Sequence, residues 1–134
     1  MNDNTFLHRQ IHPSWIQNHV VSSQAFLLDN NVASLSFTPS LKDANKLSVY
    51  NGEKFTPEES YNHYTKQFIS AAVLSVKILE VNSVSDLTVL EDNDPFDGHT
   101  IIDYSKVASA TQITKKAKKL KNFAVSRGWT HKPL

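Results

Sequence analysis

A single α+β domain, with a mixed or antiparallel sheet of about five strands and two main helices, is the fold class that three patterns predict. Phe6–His12 and Leu47–Tyr50 alternate apolar and polar residues with the period of a strand. Thr56-Pro57-Glu58-Glu59 is a helix start, with Thr as N-cap, Pro at the first helical position and acids against the helix dipole. Ile113, Ala117, Leu120 and Ala124 fall on one narrow stripe of a C-terminal helix. At 134 residues the chain has room for one core. No repeat and no Gly-, Ser- or Pro-rich linker divides it, so residues 1–134 read as one domain.

In the first strand, Leu7, Arg9 and Ile11 share one face, and His8, Gln10 and His12 share the other. Pro13 ends it, and His12-Pro13-Ser14-Trp15 reads as a turn. Val20–Leu28 is a second strand. Residues 29–46 are polar, rich in Asn and Ser, and read as a mobile loop or an insertion, with Val32–Phe37 as a short strand inside it. Leu47–Tyr50 is closed by Asn51-Gly52, a strong turn signal. The helix from Thr56 is expected to run through Tyr61 and Tyr64 to about Phe68 or beyond. Val73–Val81 reads as one strand, with Leu74, Val76, Ile78 and Glu80 on one face. Leu87–Leu90 and His99–Tyr104 flank an acidic turn from Glu91 to Gly98. The last helix is expected to end at Gly128.

Composition excludes several chemistries. There is no cysteine, which removes disulfides, thiolate metal sites and a Cys nucleophile. Three isolated glycines, Gly52, Gly98 and Gly128, cannot build a P-loop, a dinucleotide fingerprint or a nucleophile elbow. The N-terminus has no basic segment followed by an apolar one, and the apolar stretch from Phe68 to Val81 is broken by Ser70, Ser75 and Lys77. A cytoplasmic protein without a membrane partner is expected.

Charge is distributed unevenly. Residues 1–104 hold six basic and thirteen acidic side chains, and residues 105–134 hold eight basic and none acidic. Lys115, Lys116, Lys118, Lys119 and Lys121 surround the apolar stripe of the last helix, with no acid three or four residues away. Such a face suits an anionic partner, either a protein surface or nucleic acid phosphates. Alternatively, the acidic stretch Glu80 to Asp103 neutralises the lysines within the molecule. Only two arginines occur, which favours loose electrostatic contact over base-specific reading.

Strand parity turns Arg9 and Glu80 toward the apolar side, where charges must be paired, so an Arg9–Glu80 ion pair is expected. The six histidines, at 8, 12, 19, 63, 99 and 131, show no local metal spacing. His8 and His12 stand about 13 Å apart on a strand, so a metal would need His19, His63 or His99 with carboxylates from Asp92–Asp97. No metal and no cofactor is expected. The acidic turn fails as a calcium loop, with Phe96 at the fifth position and Asp97 at the sixth. Ser22 or Ser23, His12 and an acidic-turn Asp could form a nucleophilic triad, but no local pattern fixes them.

Two resemblances follow from these residues. The order Arg9, Ser22 or Ser23, Glu80 resembles the layout of ADP-ribosyltransferase-like folds. That likeness implies an NAD- or ADP-ribose-processing site with Arg9 on phosphate and Glu80 at the ribose. Separately, Leu7-His8-Arg9-Gln10-Ile11-His12-Pro13-Ser14-Trp15, Ser22-Ser23-Gln24-Ala25-Phe26 and Leu47-Ser48-Val49-Tyr50 look like a group of short bacterial proteins without an established activity. This resemblance implies a bacterial origin and transfers no catalytic residue. The leading expectation is a binding or accessory module that presents Lys115, Lys116, Lys118, Lys119 and Lys121 to an anionic partner. The NAD-processing enzyme and a toxin-neutralising partner protein stand as alternatives.

Overall fold

Five antiparallel strands form one sheet in the order β3-β1-β2-β5-β4, in a computed structural model that describes residues 1–16 and 32–133. The strands are β1 (Phe6–Ile11), β2 (Lys46–Asn51), β3 (Ala72–Lys77), β4 (Thr88–Glu91) and β5 (His99–Asp103). The helices are α1 (Pro57–Tyr64), α2 (Ile78–Asn82) and α3 (Ala110–Arg127). The α+β class and the two main helices are as expected. The strand expected at Val20–Leu28, together with His19, Ser22 and Ser23, lies outside the described residues.

β1 pairs with β3 along its whole length, from Phe6 opposite Lys77 to Ile11 opposite Ala72. Its ladder with β2 covers two positions, Leu7–Asn51 and His8–Tyr50. β2 pairs with β5 from Lys46–Asp103 to Tyr50–His99.

The strand period of two divides the side chains between two layers. Leu7, Ile11, Leu47, Val49, Leu74, Val76 and Ile102 meet Ile113, Ala117, Leu120 and Ala124 of α3 in one apolar cluster. Burying each large aliphatic side chain contributes about 2 kcal/mol. The expected stripe is therefore what docks α3. Ser109 caps its start by accepting from Gln112 N at 3.2 Å, and Gly128 ends it at φ 90°.

Three expectations change. α1 stops at Tyr64, with Thr65 as its C-cap bonding Tyr61 O through both its N–H and its hydroxyl, and Phe68 and Ile69 are exposed. Val73–Val81 is two elements, not one strand. Glu80 Oε1 accepts from Lys77 N at 2.7 Å, an N-terminal capping contact that starts α2 one residue after β3 ends. Val32–Phe37 is not a strand. Val32 makes a single bridge to Ile16, and Ser34–Phe37 forms a 3₁₀ turn in which the Ser36 hydroxyl bonds Ala33 O. Val32 and Phe37 enter the core beneath α3.

The opposite layer, under α1, is polar and fully bonded. Gln10 donates to Ser60 Oγ at 2.9 Å and accepts from Ser70 Oγ at 2.9 Å. His8 is 2% exposed, with Nε2 3.0 Å from Phe55 O and Nδ1 2.7 Å from Ser75 Oγ. A carbonyl can only accept, so Nε2 carries the hydrogen and Nδ1 accepts from the serine. Burial holds this imidazole neutral, with its pKa lowered to about 4. A histidine whose pKa falls on folding contributes stability that is complete above the unfolded value near 6.5. That contribution drains as pH drops toward about 4. Urea unfolding between pH 7 and pH 4.5 should show a loss of about 2 kcal/mol through His8 in the wild type, and His8→Gln should flatten the slope.

A cleft where two strands part

Past His8–Tyr50 the ladder between β1 and β2 ends, and Arg9 occupies the opening. Its Nε donates to Ser36 O at 2.8 Å and Nη1 to Ser48 O at 3.0 Å, and the guanidinium lies 5.4 Å from the Trp15 ring centroid. Burial lowers its pKa to about 10, a shift partly offset by the Tyr64 and Tyr104 phenols. Among the described residues no carboxylate pairs with it.

A cleft of about 530 Å³ opens over this gap, with Arg9, Ser48, Tyr50, His63, Phe96 and His99 in its wall. His99 Nδ1 lies 2.6 Å from Asp92 Oδ1, and His99 Nε2 lies 3.1 Å from Ser48 Oγ. The carboxylate fixes the hydrogen on Nδ1 and leaves the Nε2 lone pair facing the serine hydroxyl. Ser48 is exposed, whereas the His99 and Asp92 side chains keep 11% and 23% of their surface. A reachable hydroxyl, a half-buried base and an orienting carboxylate are thus in line.

The sheet places these groups. Ser48 shares the parity of Tyr50, whose partner on β5 is His99, so His99 stands diagonally across from Ser48. Asp92 follows β4 directly. Its loop is held by Asn93 N to His99 O at 3.0 Å and by Gly98 N to Asn93 Oδ1 at 2.8 Å. Lys54 clamps the same loop through Asp97 and Glu91. On the other wall, Phe96 stacks on Tyr50 at 5.1 Å and meets His63 at 4.4 Å. Burial raises the Tyr50 phenol, which stays protonated and is hydrogen-bonded to His63 Nδ1 at 2.8 Å.

Of the residues singled out in the sequence, His8, Arg9, His63 and His99 line this cleft. Glu80 does not. It bonds Arg127 Nη2 at 2.8 Å from the first turn of α2, beyond the Phe6–Lys77 end of the ladder. The expected Arg9–Glu80 ion pair is replaced by Arg127–Glu80, and the pairing that an NAD site would need is not formed. His12 accepts from Ser14 N at the turn after β1 and faces Trp15. Among the described residues no group of three His, Asp or Glu is placed to hold a metal. Sequence reasoning passed over Ser48 and did not pair Asp92 with His99. The only trace was that Ser48 occupies a polar position in an alternating strand.

The lysines of α3 divide. Lys115, Lys118 and Lys119 are exposed and Lys121 is half-buried. Lys116 departs from the expected placement. It is 8% exposed, and its ammonium donates to Ser85 Oγ at 2.8 Å. The acidic stretch does not neutralise these five lysines by ion pairs among the described residues. Glu80 pairs with Arg127, Asp92 with His99, and Glu91 and Asp97 with Lys54.

Compared with known proteins, the chain matches no family model, no curated protein and no solved structure. No helix among the described residues is long and apolar enough to cross a membrane.

Gly98 tests the link between loop and site. Its φ is +99°, and a Cβ would come within 2.6 Å of the Phe55 ring. Gly98→Ala should cost about 2–3 kcal/mol of unfolding free energy. Gly128→Ala meets no atom within 4 Å and should cost about 1 kcal/mol, both read by urea denaturation.

Proposed function

We propose that the cleft is the active site of a hydrolase acting on an ester or amide, with Ser48 as nucleophile, His99 as general base and Asp92 as its orienting carboxylate. The observation that carries this reading is the hydrogen-bonded line from Asp92 through His99 to Ser48 at the cleft wall. Ser48 Oγ bonds to the substrate carbonyl carbon as its proton passes to His99 Nε2. Imidazolium forms beside Asp92, which stabilises it. The same proton then goes to the departing alcohol or amine as the acyl–serine forms. Water, deprotonated by His99, cleaves that ester and restores the serine.

A fluorophosphonate probe should label the wild type at Ser48, located by peptide mass mapping. Hydrolysis of p-nitrophenyl esters should fall by roughly 10³-fold or more in Ser48→Ala and His99→Gln, and by roughly 10²–10⁴-fold in Asp92→Asn. Equal labelling and turnover in Ser48→Ala would remove the reading.

A second reading keeps α3 as a docking face for an anionic protein or nucleic acid. Exposed Lys115, Lys118 and Lys119, without carboxylate partners among the described residues, support it. A cytoplasmic setting belongs to both readings. Binding to a heparin column should weaken steeply with salt, and the triple change of these lysines to glutamine should elute at clearly lower salt. Unchanged elution would count against this face.

A further inference from the structure

We propose that the Arg9 guanidinium is an anion subsite of the cleft, so that the ligand carries a carboxylate or phosphate group beside the part that reaches Ser48. The proposal deepens the hydrolase reading by naming the charge of its substrate, and it takes from that reading only the location.

A guanidinium offers five N–H donors in a planar fork. Two N–H groups of Arg9 are used, and both go to neutral carbonyl oxygens, Ser36 O and Ser48 O. The groups that answer its charge are the face of the Trp15 ring, 5.4 Å away, and the Tyr64 and Tyr104 phenols, none of them an anion. Tyr104 spends its hydrogen on Phe37 O at 2.7 Å and is a neutral phenol. A cation half removed from water, with no counterion among the described residues, is expensive to maintain. Bridging two carbonyls across a gap needs two N–H groups, and a neutral amide supplies those, so the charge is surplus to the bridging role. It is of use to an anion entering from the cleft, where the remaining donors match the two oxygens of a carboxylate or phosphate.

The rest of the wall agrees. His63, in hydrogen-bond contact with the Tyr50 phenol through Nδ1, and Lys66 also line the cleft. Asp43 is the one acidic side chain lining it among the described residues. Phe96 and Tyr50 provide an apolar wall for the remainder of the ligand.

The test titrates sodium phosphate and sodium acetate into Ser48→Ala, with sodium chloride at matched ionic strength as control, and follows the Arg9 Nε–H resonance by NMR. A saturable shift with either oxyanion and none with chloride is expected, weakened tenfold or more in Arg9→Lys, which keeps the charge and loses the fork. Lys106→Gln, an exposed lysine outside the cleft, should change the affinity less than threefold. The proposal is overturned if the resonance does not saturate, or if Arg9→Lys binds both ions as the parent does. The two readings fail separately. Fluorophosphonate labelling of wild-type Ser48 without oxyanion binding at Arg9 keeps the hydrolase and removes the subsite. Oxyanion binding at Arg9 without labelling does the reverse.

Discussion

Arg9 of β1 donates across the gap to Ser48 O of β2 and to Ser36 O of the 3₁₀ turn, and the rest of the structure is arranged around that one side chain. Its parity sends it toward the α3 layer, among Leu7, Ile11 and Leu74, where a charge has no place in a closed core. The strands part instead. Two ladder positions hold β1 to β2, and beyond them the guanidinium stands where strand-to-strand hydrogen bonds would have been. Ser36 comes from the 3₁₀ turn that also buries Phe37, so the cation ties that turn to the sheet as well. A neutral aliphatic residue at position 9 would permit the ladder to close, and the cleft would lose its floor.

The two faces of the sheet answer different requirements. The α3 face is apolar and held by area. The α1 face is held by direction: Gln10 to Ser60 and Ser70, and His8 to Ser75 and Phe55, leave little freedom for β1 to slide. After α3 the chain returns to β3, with Thr130 N donating to Val73 O at 3.0 Å and Val73 N to His131 O at 2.8 Å. That return covers an edge strand. It also brings Arg127 to Ser75 O and Glu80, so the one strong ion pair near the helix end fastens α3 to β3 and α2. The carboxylate expected to serve Arg9 is thereby committed elsewhere, which is why the cleft cation is left to carbonyls.

Much of the fold was legible in the sequence because its signals are local. Alternation marked β1 and β2, Thr56 is the N-cap its sequence position announced, and the Ile113–Ala124 stripe is buried as spaced. Errors arose where a local contact overrode the pattern. Ile78 and Glu80 continue the parity of Leu74 and Val76, so a strand was the natural reading. A side-chain cap from Glu80 to Lys77 N turned the chain into a helix instead. The site was nearly illegible for the opposite reason. Ser48 and His99 lie 51 residues apart and meet through a diagonal between β2 and β5, a relation that exists only once register is set. Asp92 and His99 are close in sequence but belong to a turn that reads as solvated charge. Seeing them as a pair requires the β4–β5 ladder to bring the two ends of that turn together.

Across the neighbours β2, β5 and β4 the site takes one group from each in turn, Ser48, His99, and Asp92 just past the end of β4, while Arg9 of β1, of the opposite parity, enters at the gap. Strand spacing of about 4.8 Å sets the separation of successive groups, so hydrogen-bond contact between adjacent members follows from register more than from loop conformation. Ser48–His99 and His99–Asp92 are both of that kind. A site built on a ladder keeps its geometry as long as the ladder holds, which suits groups that must meet within a few tenths of an ångström. The one interval where the ladder is broken, β1 to β2, is also the one where space for a ligand appears. Pairing fixes the reacting groups, and the failure of pairing admits what they act on.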